Sequence, residues 1–227
     1  MSKRKIAVRT LMVMVLLQLL FAQERVMILH DNDGSVMRKP VTEIDSVTFQ
    51  ETGTLTYNGY TYKTVKIGSQ WWLAENLRTA TYRDGITIPA NAVWPPNGDE
   101  GNVATYGLLY SWYALSSSNG IAPIGWHVPS AGEWQQLADY LGGNSVAGGK
   151  LLANGTDNYG FRALTAGFRQ STGFLSFNLV AKFWTGTEAS ASYAYGCTMM
   201  DGSNQFDGLG NSFKNQGCSV RLVKDSD

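Results

Sequence analysis

Histidine and cysteine are the scarcest reactive residues in this 227-residue chain, with two of each: His30 and His127, Cys197 and Cys218. A histidine-rich metal centre is thereby excluded, because two imidazoles far apart in sequence supply too few ligands. No Gly-x-Ser-x-Gly run occurs, so a hydrolase triad has no nucleophile elbow, and the glycine-rich loops that cradle phosphates are absent as well. Six prolines set against 25 glycines and 12% aromatic residues argue for a compact, loop-rich core and against disorder. Lys and Arg balance Asp and Glu at 18 each. That leaves no basic stripe to neutralise phosphates, so nucleic acid and anionic membrane surfaces are not expected partners.

Only one apolar run stands out. Lys3, Arg4, Lys5 and Arg9 make a cationic start, and Leu11 to Phe21 follow almost wholly apolar, interrupted by Gln18. This is the pattern of a secretory signal peptide over residues 1–22. The run is too short to span a bilayer comfortably, and no cysteine follows it to accept a lipid, so no stable membrane span is expected after cleavage. Cleavage is placed after Ala22, with Leu20 a poor match to the small-residue rule. Its removal takes four basic groups and no acidic ones, leaving a mildly acidic mature chain. Export to the periplasm, the cell surface or the medium is the expected location.

In that oxidising setting an even cysteine count suggests one disulfide, Cys197–Cys218, which would stabilise the fold by roughly 3 kcal/mol in the chain-entropy picture. The rival reading is a pair of free thiols in redox or metal chemistry.

Residues 23–52 form a β-rich lead-in. Val26–His30 and Ser35–Val41 flank the turn Asp31-Asn32-Asp33-Gly34, and Ile44–Phe49 add a short strand. The Asp-x-Asp-Gly stretch lacks the later ligands of an EF-hand, so it reads as a plain turn. Residues 53–227 are denser in aromatics. A hairpin turns at Gly68-Ser69, residues 78–100 form a long surface loop, and Tyr106–Leu115 reads as a buried helix. Ser130 followed by Glu133 is a capping box, after which Trp134, Leu137, Ala138 and Leu141 recur at helical spacing up to Gly142-Gly143. That cap, and a solvated helix face for Asp139, explain the two carboxylates better than acid/base catalysis does. Short strands at Phe161–Phe168, Phe174–Phe177, Lys182–Thr187, Tyr193–Met200 and Ser219–Val223 follow a helical piece at Val146–Ala153. Helices first and strands afterwards predict an α+β domain.

Four blocks in order carry a resemblance: Lys66-Ile67-Gly68-Ser69-Gln70-Trp71-Trp72-Leu73-Ala74-Glu75-Asn76-Leu77, Tyr106-Gly107-Leu108-Leu109-Tyr110-Ser111-Trp112, Gly125-Trp126-His127-Val128-Pro129-Ser130 with Glu133-Trp134, and Ser219-Val220-Arg221-Leu222-Val223-Lys224-Asp225. Over roughly residues 57–225 the chain resembles the Fibrobacter succinogenes major paralogous domain. Glu43 to Phe49 is similar to an element that precedes domains in exported Bacteroidetes proteins. The resemblance implies a C-type-lectin-like or formylglycine-generating-enzyme-like fold, with two main helices packed on a twisted antiparallel sheet. It also implies an exported, often surface-associated protein with no assigned activity. This chain departs from the family pattern at Leu222, where a cysteine is the family's residue after the arginine.

The function expected on these grounds is non-catalytic: a binding or surface-structural domain whose partner is a glycan or an envelope or surface protein. Its determinants fall on the loops Arg78–Ala104 and Met200–Ser212, since loops on a rigid scaffold carry such function. Trp94, beside Pro95-Pro96, offers a ring for stacking. Asp201, Asn204 and Asp207 offer oxygens that suit calcium, although the lectin triplets Glu-Pro-Asn and Gln-Pro-Asp do not occur and no cofactor is required. His127 has no visible partner in sequence and is read as a structural hydrogen-bonding residue. The alternative is an oxidoreductase like the formylglycine-generating enzymes, with copper held by Cys197 and Cys218.

Overall fold

The computed structural model describes residues 26–30, 36–40 and 50–226. The expected leader, the turn at 31–34 and the short strand at 44–49 lie outside them. The chain divides into two compact units at Phe49/Gln50. In the first, β1 (Val26–His30) pairs antiparallel with β2 (Val36–Pro40), Val26 opposite Pro40 and His30 opposite Val36. Among the described residues no helix is long and apolar enough to cross a membrane.

The second unit opens with β3 (Thr52–Tyr57), β4 (Tyr60–Ile67) and β5 (Gln70–Leu73), joined by tight turns at Asn58-Gly59 and Gly68-Ser69. Asn58 and Gly59 both have positive φ, at 46° and 79°, the backbone that a two-residue hairpin turn needs to match strand twist. These strands continue into β14 (Val223–Lys224) and β8 (Trp126–His127), giving the order β3-β4-β5-β14-β8. A second sheet is a meander of β11 (Val180–Glu188), β12 (Tyr193–Met200) and β13 (Phe206–Phe213). Two small ladders complete the framework: β6 (Val93–Trp94) with β7 (Leu109–Tyr110), and β9 (Phe168–Gln170) with β10 (Gly173–Leu175). The helices are short: α1 (Val103–Tyr106), α2 (Trp112–Leu115), α3 (Ala131–Tyr140) and α4 (Asn144–Leu151).

Neighbouring side chains on β11 point to opposite faces, as strand geometry requires, and so separate two apolar clusters. Phe183 joins Trp72, Trp134, Phe161 and Phe206 on one side. Trp184 joins Tyr62, Leu77, Tyr110 and Trp112 on the other. The first is an aromatic cluster centred on Trp134, whose ring lies 4.8 Å from that of Trp72 and 5.4 Å from that of Phe183, both tilted against it. The capping box that orients α3 is present in full, with the Ser130 hydroxyl accepting from the Glu133 amide and Glu133 accepting from the Ser130 amide.

This architecture corrects the expected fold class. The structure is mostly β-sheet, at 38% strand and 18% helix, with a curled antiparallel half-barrel sheet and short helices, not two main helices on a sheet. The buried helix expected over Tyr106–Leu115 is interrupted between Gly107 and Ser111, where the backbone groups find partners elsewhere. The Leu108 amide donates to the Leu77 carbonyl, Tyr110 exchanges both bonds with Cys218, and the Ser111 amide donates to Ala92. Only Trp112–Leu115 closes a helical turn. The strand expected over Phe161–Phe168 is irregular for a related reason. The Phe161 and Arg162 carbonyls accept from the Arg221 guanidinium at 2.7 Å each, and Arg162 adopts φ +55° there. A ladder cannot form where the carbonyls are already engaged.

Candidate functional site

A cleft of about 550 Å³ opens where the loop after β5 meets α2 and the segment following β13. Its floor is Tyr82, Ser111 and Ala114, all buried, and its rim carries exposed Pro89, Asn91, Tyr113, Ser118 and Asn215. The walls are braced by main-chain bonds. Ser111 donates to Ala92, Trp112 to Lys214, Arg83 to Gly120 and Ala92 to Pro89, at 2.8 to 2.9 Å. The cleft is therefore pre-formed, and ligand binding need not first order a loop. None of the lining side chains is charged. Tyr113 is 56% exposed, a large ring left facing solvent. The Ser111 hydroxyl is buried without a hydrogen-bond partner.

Part of this cleft lies on the expected Arg78–Ala104 loop, but its second wall does not. The signal for that wall is the run Ser116-Ser117-Ser118-Asn119-Gly120 directly after the aromatic block. Small polar residues and a glycine there mark an exposed turn beside buried aromatics.

The residues singled out in the sequence are placed elsewhere. Trp94 is half-buried in β6 opposite Leu109, with the Arg169 guanidinium 4.3 Å over its ring. Gly217 lies so close to that ring that a Cβ there would approach it to 2.8 Å. Asp201 accepts from the Asn154 side chain, and Asn204 packs on α4, its carbonyl accepting from Gly149 at 3.2 Å. Asp207 stands exposed on β13 opposite Thr198. Among the described residues no group of three or more His, Cys, Asp and Glu side chains is arranged to hold a metal ion.

The expected disulfide is corrected: Cys197 and Cys218 are both free and fully buried. Phe183 on β11 pairs with Cys197 on one flank and bridges Ser219 on the other, so a whole strand separates the two thiols. Two strand spacings are about 9.5 Å, beyond the roughly 7 Å between Cα atoms that a disulfide spans. Cys197 also belongs to one apolar cluster and Cys218 to the other. Burial pushes the Cys218 thiol up to about 12, and burial together with the neighbouring Cys218 lifts Cys197 well above its ordinary range. Neither is poised as a thiolate, and the geometry does not bring them together on one copper ion. The folded protein is expected to resist a thiol reagent such as DTNB and to show two thiols on denaturation without reductant. Zero thiols after denaturation would contradict this placement.

His127 does have partners, which its sequence neighbourhood hides. Its Nδ1 lies 2.5 Å from Asp225 Oδ1 and its Nε2 2.9 Å from Glu133 Oε1, so one imidazole clasps the chain end to the start of α3. Glu133 also receives the Ser130 hydroxyl at 2.8 Å. Burial alone would disfavour the imidazolium, but the hydrogen bonds of Asp225 and Glu133 and their charges outweigh it and raise the pKa above 6.5. A raised folded-state pKa adds stability that is complete below the unfolded value and is lost as pH climbs through the folded one. The NMR midpoint of His127 is accordingly expected above 6.5, falling in Asp225→Asn, with Tm declining as pH rises from 6.5 through that midpoint. A midpoint below 6.5 would remove the clasp. A second cavity of about 460 Å³ borders it, lined by Lys66, Trp71, Glu133, Lys224 and Asp225. Its carboxylates face His127 and Lys66 pairs with Glu51 at 2.8 Å, so its charges are largely engaged within the fold.

The model of the Fibrobacter succinogenes major domain matches residues 65–224. No curated protein and no solved structure matches the chain.

Proposed function

We propose that this chain, which belongs to the Fibrobacter succinogenes major domain family, is an exported, non-catalytic recognition domain whose ligand, a glycan, enters the cleft between Tyr82 and Asn215. The observation that carries this reading is the cleft itself. It is pre-braced, holds an exposed aromatic rim, and is lined by amides and hydroxyls with no acid, base or thiol. General acid/base or nucleophilic chemistry needs an activated group at the reacting atoms, and beside the Tyr82 and Tyr113 phenols and the serine hydroxyls the lining holds no carboxylate, imidazole, amine or thiol to activate them. Stacking and hydrogen bonding, by contrast, need only what is there. Export follows from the cationic start and the apolar run up to Phe21, with the N-terminus of the exported protein expected at Gln23.

The test is a glycan array probed with the exported protein, with and without a calcium chelator. Reproducible saccharide hits support the reading. An empty array beside a well-folded protein counts against it.

A further inference from the structure

Resting on that reading of the cleft, we infer that the ligand is an uncharged saccharide, bound without a metal ion by Tyr113, Asn91, Asn215 and the buried Ser111 hydroxyl. Charge decides the first part. A carboxylate, sulfate or phosphate entering this cleft would lose its hydration against ten lining residues that contain no cation, and desolvating a charge without a partner is strongly unfavourable. A sugar hydroxyl is both donor and acceptor. Carboxamides and hydroxyls match it in either role, whereas a charged group offers one role only.

Metal independence follows from the same lining. Calcium draws on carboxylates, and neither Asp201 nor Asp207 borders this cleft. Ser111 supplies a further pointer. It lines the cleft, yet its Oγ is buried and has no partner, an arrangement native interiors seldom leave uncompensated. Tyr113, on the rim, is an exposed aromatic ring of the kind that stacks on the apolar face of a pyranose.

The experiment titrates ¹⁵N-labelled exported protein with methyl glycosides of neutral hexoses and with the matching uronic acids, following the Asn91 and Asn215 side-chain amides. Neutral glycosides are expected to move both resonances, unchanged by chelator, and the uronates to bind about tenfold or more weakly. Tyr113→Ala is expected to weaken the neutral glycoside about tenfold. Ser111→Ala separates ligand contact from folding: it removes a hydroxyl that makes no bond in the free protein, so Tm holds or rises while affinity falls about fivefold. Uronates binding as tightly as neutral glycosides, or hits lost on chelation, would overturn this inference and leave glycan recognition at the cleft standing. Resonances that stay still with every glycoside would overturn both.

Discussion

Replacement of Arg221 by Met is expected to be the most damaging single change in the domain. The side chain is fully buried, and its guanidinium donates to Asn76 Oδ1 at 2.7 Å, to the Leu73 carbonyl at 2.6 Å, and to the Phe161 and Arg162 carbonyls at 2.7 Å. The Phe161 ring lies 4.5 Å from its carbon centre, and Arg221 is not among the ion pairs of the described residues. Carbonyl dipoles and a ring face thus stand in for a counter-ion. Burial lowers the guanidinium pKa to about 9, which still leaves it protonated at neutral pH. Methionine fills much of the volume but strands the buried Leu73 and Phe161 carbonyls, the part-buried Arg162 carbonyl and Asn76, and we expect a loss of about 4 kcal/mol, enough to leave little folded protein. Arg221→Lys is expected to recover only part of this, because an ammonium lacks the planar fork that reaches separate acceptors together. Urea unfolding measures both. A Met variant as stable as the parent would show the cage to be incidental.

Gly148→Ala is expected to reverse the usual helix rule. In an exposed helix alanine is favoured over glycine by about 1 kcal/mol. In α4, however, a Cβ on Gly148 would fall 2.0 Å from the Gln205 carbonyl oxygen and 2.4 Å from its carbon, and that neighbour is backbone. The helix must move away from the turn after β12, and we expect about 3 kcal/mol of destabilisation, a fall in Tm of roughly 10 °C. Calorimetry checks the sign, and an unchanged or higher Tm would contradict the close packing.

These two residues also mark where sequence reasoning stops. The hairpin at Gly68-Ser69 and the capping box at Ser130 are local, formed by residues within a few positions of one another, and their patterns are readable. Arg221 joins segments near residues 73, 76 and 161, and no periodicity announces a buried cation whose acceptors are backbone carbonyls. Tyr106–Leu115 has an apolar composition that suits a buried helix, but its amides and carbonyls pair with Leu77, Ala92 and Cys218, so tertiary partners override propensity. The cysteines illustrate the same limit. Their even number and the compartment expected from the leader argue for a bond, while the intervening β11 keeps them apart. Half of the cleft was legible as a long loop. Asn215 and the α2 wall were not, since they reach the site through pairings such as Trp112 to Lys214.

Every strongly held charge described above serves the fold: Arg221 in its cage, His127 in its clasp, Arg169 over Trp94. The uncharged cleft is the site we propose for recognition. Ser118 sits exposed on its rim, where a large ring closes the opening without entering the core. The most direct test is to compare Ser118→Trp with the parent protein on the glycan array after matching their Tm values. Loss of the parent's hits at unchanged Tm is the predicted result, and hits that survive in the closed variant would place recognition elsewhere on the domain.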